Sequence, residues 1–198
     1  KSFKKIGIDI LTDSSVESID SKGDICKVTI KTKTGNITVD ADVVLSAVGI
    51  EANITGFGLE ELGIKTDKGK IVTDKFYATN VSGYYAIGDC VAGQSLAHVA
   101  SAEGIACVEK IKGMKVEPID YNNIPGCTYC QPEVASVGYT EKKAKEAGYQ
   151  IKVGKFPFSA SGKAKAAGNS DGFIKLIFDA KYGEVIGAHM IGANVTEM

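Results

Sequence analysis

The residues with the clearest chemical potential in this chain are Gly88 and Asp89, which end a short apolar run. A glycine at the end of a strand lets a sugar or phosphate approach the backbone closely. A carboxylate beside it can accept hydrogen bonds from a polyol. The pair therefore indicates an edge that binds a nucleotide cofactor, although Gly-Asp is also common in ordinary strand-to-helix turns.

Two elements are expected to position this pair. The apolar run 84–87 is typical of a short buried strand. After a loop, apolar residues recur at helical spacing over 96–111, and Gly113 is placed to end that helix. The amino end of such a helix offers free N–H groups and a partial positive charge. Glu103 lies on this helix and reads equally well as a charge on its exposed face, so it is assigned no chemistry.

Length and composition describe one or two globular domains. The chain has 198 residues, of which 44% are hydrophobic and 24% charged. A net charge of −1 gives no general electrostatic reason to bind nucleic acid or an anionic membrane. No apolar run approaches the ~20 residues of a membrane span, and the lysine-rich start lacks a signal-peptide core. These features predict a cytoplasmic protein.

The first part of the chain is predicted to be mainly strands. Alternating isoleucines predict a strand over 6–10, and a second alternation predicts a hairpin over 26–39 with its turn at 34–36. The continuous apolar run 41–49 predicts a strand covered on both faces. A short helix over 59–62 then leads to a strand pair that turns at Lys68-Gly69-Lys70.

The last part predicts an antiparallel sheet with at least one helix packed on it, an α+β layer. Strands are expected over 133–138, 151–156, 172–179 and 185–191. Thr140 is placed to cap a helix that stops at Gly148.

The cysteines suggest redox or metal chemistry, above all the pair Cys127 and Cys130. Pro125-Gly126 precedes this pair and a strand follows it, so a helix amino end that would lower a thiol pKa is not expected. Zinc needs four ligands, and no second C-x-x-C is present. We therefore predict no metal site and no catalytic residue here, and we interpret His189 as a packing or subunit-contact residue.

Four segments resemble the pyridine nucleotide-disulfide oxidoreductases. The segments TNVSGYYAIGD and LAHVASAEG, at 79–89 and 96–104, are similar to the second flavin-binding motif of that family. The segments starting IPGCTYCQPEVASVGYTE and KFPFSASG are similar to the start of its dimerisation domain. The resemblance implies an α/β plus α+β fold. Residues 1–50 would be the C-terminal part of an NAD-binding domain, 51–113 the central second FAD-binding segment, and 114–198 an incomplete dimerisation domain.

The resemblance also implies cofactor-binding residues. Asp89, beside Gly88, would hydrogen-bond the ribityl and pyrophosphate region of FAD. The segment that would lie against the isoalloxazine ring consists of Ser95, Leu96, Ala97 and His98.

Contacts to the dinucleotide NAD are implied for the first part of the chain. The backbone of Val16 would contact the adenine half. Gly49 would belong to a loop near the nicotinamide, although a glycine chosen only for its backbone angles fits equally well. That loop departs from the family pattern, because Ile50 and Ala52 replace the usual arginine and proline.

The implied activity is oxidation of dihydrolipoyl groups with NAD as acceptor, in 2-oxoacid dehydrogenase or glycine cleavage complexes. The implied partners are a second copy of the chain and lipoyl-bearing subunits, with no nucleic acid and no membrane. The family's Gly-rich fingerprints, redox cysteine pair and catalytic histidine are missing, so we expect a C-terminal-half fragment that is inactive alone. Two alternatives stay open: a mercuric or glutathione reductase-like branch of the family, and a non-enzymatic truncated dimerisation module.

Overall fold

The computed structural model describes residues 2–198. The chain divides into two compact units, Lys1–Ile50 and Glu51–Met198. Within the described residues, none of the helices combines the length and the apolar character needed to cross a membrane.

The first unit is built on a three-stranded antiparallel sheet. A short helix, α1 (Ser2–Lys5), precedes β1 (Ser15–Asp20), β2 (Cys26–Thr32) and β3 (Gly35–Ala41), which lie in the order β1-β2-β3. Thr32 pairs with Gly35, which confirms the predicted hairpin, but its turn lies at residues 33–34 and not at the predicted 34–36, because Gly35 and Asn36 already pair with β2. Val28, in the central strand, is buried.

Two strand predictions in this unit are wrong. Residues 6–10 contain no strand, and residues 43–48 belong to no strand either. Val43, Leu45 and Val48 are 83%, 87% and 96% exposed. A strand forms only where its backbone groups find partners, and no described strand lies beside these segments. By contrast, β1 was not predicted. Its pairing register shifts between Val16 and Ser18, and this shift breaks the alternation of apolar and polar side chains that predicts a strand.

The second unit begins with a small hairpin and a long helix. The strands β4 (Thr66–Asp67) and β5 (Lys70–Ile71) are joined at Lys68 and Gly69, both with positive φ, as the predicted turn requires. The helix α2 (Ala97–Ile111) is confirmed, and Gly113, with φ +82°, follows its last turn. Ile64, Ile71, Ala86 and Val91 form an apolar cluster beside the hairpin.

Two further predictions in this region are wrong. Residues 59–62 form turns, with hydrogen bonds from the Leu62 amide to Gly58 and from the Ile64 amide to Leu59, and do not continue into a helix. Residues 84–87 form no regular strand, since the pair Ala78 and Tyr85 makes one isolated bridge. An apolar run becomes a buried strand only when neighbouring strands cover it, and the described chain places none there.

A five-stranded antiparallel sheet dominates the rest of the second unit. Its strands lie in the order β6-β7-β10-β9-β8. The elements of this region are β6 (Gly126–Thr128), β7 (Glu133–Gly138), α3 (Glu141–Glu146), β8 (Ile151–Pro157), α4 (Gly162–Ala166), β9 (Phe173–Asp179) and β10 (Val185–Gly192). The predicted strands and the helix after Thr140 are thereby confirmed. Ile177 in β9 and Ala144 in α3 are fully buried.

The cap of α3 offers a direct test of this part of the fold. The Thr140 hydroxyl accepts a hydrogen bond from the Lys143 amide at 3.2 Å. We expect Thr140→Ala to lower the free energy of unfolding by ~1 kcal/mol, because the amide loses its acceptor. Urea denaturation measures this, and Thr140→Ser, which keeps the hydroxyl, is the matched control. Equal stability of the two variants would show that the cap contributes nothing.

Candidate functional site

Gly88 and Asp89 lie in a single 3₁₀ turn, Gly88–Cys90, which packs directly on α2. Gly88 has φ +74°, and a Cβ added to it would lie 3.2 Å from Cβ of Ala100. A Cβ on Gly104 would likewise lie 3.2 Å from Cδ1 of Ile87. The two glycines therefore let the turn and the helix approach each other more closely than side chains would allow.

The side chain of Asp89 is exposed, and its carboxylate has no partner among the described residues. The backbone of Asp89 is held, because the ammonium group of Lys70 donates to its carbonyl oxygen. A fixed backbone with a free carboxylate can accept hydrogen bonds from ligand hydroxyls without first breaking an internal bond.

The amino end of α2 is open in the same unit. Its N-cap is Leu96, in an extended conformation, and no side chain caps the first turn. Ser95, Ala97 and His98 are exposed, and Leu96 is half-buried. The first amides of a helix have no partner within the helix, so they can donate to a ligand oxygen here.

Glu103, for which no chemistry was predicted, is buried and accepts a hydrogen bond from this turn. Its side chain is only 1% exposed. One carboxylate oxygen accepts the Gly88 amide proton at 2.6 Å, and the other accepts the Tyr121 hydroxyl at 2.5 Å. A signal for this burial existed in the sequence, because position 103 falls on the apolar stripe that includes Val99 and Ala106.

A second tyrosine extends this network. The hydroxyls of Tyr77 and Tyr121 lie 3.2 Å apart. Burial raises the pKa of Tyr121, and its hydrogen bond to Glu103 raises that pKa further. Burial also raises the pKa of Tyr77. Both phenols therefore stay protonated at neutral pH and remain available as donors.

The remaining predicted residues belong to the first unit. Val16 lies on β1, is 58% exposed and pairs with Ile30. Gly49 has φ +120°, while a Cβ there would meet open space. Backbone conformation and not crowding therefore accounts for a glycine at this position.

The cysteines and histidines make local contacts. Cys127 is exposed on β6, and the Cys130 thiol donates to the Pro132 carbonyl at 3.1 Å. The His189 Nε2 lies 2.9 Å from the Tyr139 carbonyl oxygen, to which it can donate. Within residues 2–198, no group of three or more His, Cys, Asp or Glu side chains could hold a metal ion.

Comparison with known proteins connects this geometry to one family. Residues 1–104 match the family model "Pyridine nucleotide-disulphide oxidoreductase", and residues 124–198 match the model of the dimerisation domain of the same enzymes. The chain is 49% identical to the dihydrolipoyl dehydrogenase of Rhizobium etli, over 100% of this chain and 42% of that protein. It is 47% identical to that of Zymomonas mobilis, over 100% of this chain and 43% of that protein. The chain thus spans less than half the length of these relatives.

A solved structure shows the same architecture. The match to LpdA from Mycobacterium tuberculosis has a TM-score of 0.88 at 27% identity, and it covers 99% of this chain and 42% of that one. The predicted α/β plus α+β class is confirmed by this match.

Proposed function

The chain belongs to the pyridine nucleotide-disulphide oxidoreductase family, and from this premise we propose that it is part of a dihydrolipoyl dehydrogenase. The reaction removes two electrons and two protons from a dihydrolipoyl dithiol, which closes to a disulfide, and passes a hydride to NAD⁺ while one proton is released. The observation that carries this proposal is the free Asp89 carboxylate on a turn packed against α2. Relatives named for this activity match the chain along its whole length.

The residues of the second unit fit an FAD molecule. Gly88 lets the turn lie close to α2, and the exposed Asp89 beside it can accept hydrogen bonds from ribityl hydroxyls. The uncapped first amides of α2, those of Ala97 and His98, can donate to the polar edge of the isoalloxazine ring. When bound, FAD supplies the electron transfer between the dithiol and NAD⁺, while this chain binds and orients it.

The domains are assigned as part of the same proposal. Residues 1–50 are the C-terminal part of the NAD-binding domain, 51–113 the second FAD-binding segment, and 114–198 the dimerisation domain. Val16 and Gly49 would face the adenine and nicotinamide halves of NAD. The partners are a second copy of the chain and the lipoyl-bearing subunits of a multienzyme complex.

The 198 residues alone are proposed not to turn over substrate. They contain no G-x-G-x-x-G fingerprint and no C-x-x-x-x-C pair. A dithiol therefore has no protein disulfide with which to exchange in this chain. Purified residues 1–198 that reduce NAD⁺ with dihydrolipoamide would contradict this part of the proposal.

The test of the flavin site is Asp89→Ala in the protein that carries these residues. Loss of hydrogen bonds to a charged acceptor is worth about 1.5–3 kcal/mol, so the affinity for FAD should fall about tenfold to hundredfold. Quenching of FAD fluorescence during titration of the apoprotein measures it. Asp67→Ala, which removes another exposed carboxylate of the same unit, should leave the affinity unchanged. Unchanged FAD affinity in the Asp89 variant would overturn the proposed function.

A further inference from the structure

We propose that Glu103 and Tyr121 are positioning residues, which hold the Gly88–Asp89 turn in the conformation that binds the flavin. This inference rests on the proposed function, and it assigns a role to a buried carboxyl group and its tyrosine partner, which act through the turn. It starts from the carboxylate of Glu103, which is buried at 1% exposure and accepts hydrogen bonds from the turn and from Tyr121.

Packing alone does not explain a glutamate at this position. Both carboxyl oxygens of Glu103 act as hydrogen-bond acceptors. No described lysine forms an ion pair with it, so its donors are a backbone amide and a hydroxyl. Burial of a carboxyl group costs free energy that an apolar side chain on the same stripe would avoid. The carboxylate is therefore best explained by the bonds that it makes.

These bonds determine the conformation of the turn. The Gly88 amide donates to Glu103, the Gly88 carbonyl accepts from the Val91 amide at 3.0 Å, and the Asp89 carbonyl accepts from Lys70. The backbone polar groups around Asp89 are thus engaged, while its carboxylate stays free. Among these contacts, the bond to Glu103 is the one that comes from α2. The same helix therefore carries the open amino end and holds the aspartate turn, so both sides of the flavin site share one rigid support.

Tyr121 fixes the orientation of the Glu103 carboxylate. Its hydroxyl donates to the oxygen that does not contact Gly88. Its ring also packs under the loop after the turn, since a Cβ on Gly93 would lie 3.1 Å from Cε1 of Tyr121. Tyr121 begins a 3₁₀ turn shortly before β6, the first strand of the five-stranded sheet. The network therefore connects the turn to the segment that enters that sheet.

Tyr77 closes the network on the opposite side. Its backbone carbonyl accepts the Ala86 amide at 3.0 Å, and its hydroxyl lies 3.2 Å from that of Tyr121. Residues 77–88 are thus held at one end by backbone bonds and at the other by Glu103. In Glu103→Gln the amide oxygen can still accept from the Gly88 amide, and the amide nitrogen can donate to the Tyr121 hydroxyl. The Tyr121 hydroxyl can then donate to the Tyr77 hydroxyl. Glu103→Gln should therefore keep much of the FAD affinity that Glu103→Ala loses.

The experiment is a double-mutant cycle on FAD affinity in the protein that carries these residues. Dissociation constants are measured on apoprotein well below its unfolding temperature, for Glu103→Ala, Asp89→Ala and the double variant. Glu103→Ala leaves the Gly88 amide unsatisfied and should weaken FAD binding about tenfold. Because Glu103 acts through Asp89, the same substitution should have little effect when Asp89 is already alanine. Glu109→Ala, on the same helix and half-buried, is the matched control.

The conservative variants keep the test decisive if Glu103→Ala fails to fold. Tyr121→Phe removes one hydroxyl, and Glu103→Gln keeps the shape of the side chain. We expect weaker FAD binding and a shifted flavin absorption spectrum in Tyr121→Phe, and smaller changes in Glu103→Gln than in Glu103→Ala. Additive effects of Glu103→Ala and Asp89→Ala, or unchanged FAD affinity in Tyr121→Phe, would overturn the positioning role. Unchanged FAD affinity in Asp89→Ala would instead overturn the proposed function.

Discussion

Gly172→Ala is expected to lower the free energy of unfolding by about 4 kcal/mol or more, a loss in the range reserved for severe backbone conflicts. A Cβ added to Gly172 would lie 1.8 Å from the Ile191 carbonyl oxygen. Gly172 also has φ +116°, which L side chains rarely adopt. The obstacle is backbone of β10 and not a flexible side chain, so the sheet must distort to accept a methyl group. Urea or thermal denaturation of the protein measures the loss.

Three other glycines separate the two causes of this effect. A Cβ added to Gly187 would lie 2.1 Å from the Tyr139 carbonyl oxygen, but Gly187 has no left-handed φ. Gly187→Ala therefore tests the clash alone. Gly168 has φ +71° and open space, so Gly168→Ala tests conformational strain alone and should cost about 1 kcal/mol. Gly162, at the start of α4, has neither problem, and Gly162→Ala should be neutral or slightly stabilising. A cost for Gly172→Ala no larger than that for Gly168→Ala would show that β10 yields to the added methyl group.

Ile177→Ala is the second large expected effect, a loss of about 2–5 kcal/mol. Ile177 is fully buried in β9, near the centre of the five-stranded sheet. Truncation removes buried methyl groups and leaves a cavity that the surrounding strands can fill only by moving. Chemical denaturation measures the change, and Ile177→Val should show an intermediate cost of about 0.5–1.5 kcal/mol.

Val153 is the matched control for Ile177. It pairs directly with Ile177 but lies on the edge strand β8 and is 44% exposed. Val153→Ala should therefore cost about 1 kcal/mol or less. Equal losses in the two alanine variants would show that Ile177 does not lie at the centre of this core.

Several of the elements that the sequence predicted correctly have short-range signals. In α2 the apolar stripe repeats at helical spacing and ends near Gly113, and α3 begins after the capping residue Thr140. The hairpin of β2 and β3 joins two alternating strands through a tight turn. In each case the interactions that specify the element span only a few residues, so local sequence contains them.

The candidate site was predictable in part. The free carboxylate of Asp89 and the open amino end of α2 lie where the motif placed them, while their contact with flavin stays a prediction. The strand predicted at 84–87 did not form, because a strand needs neighbouring strands to pair with, and these can come from any part of a chain. The same dependence explains the unpaired, exposed run at 43–48.

By itself, the sequence determined the helix, the hairpin turns and the types of the residues at the site, since each follows from spacing and backbone preference. Only the tertiary structure decided that Glu103 accepts hydrogen bonds from Gly88 and Tyr121, which lie 15 and 18 residues away along the chain. A carboxylate on an apolar stripe is costly unless donors meet it inside the protein. Whether such donors lie within hydrogen-bond distance of Glu103 depends on how separate segments pack, and no pattern within α2 contains that information.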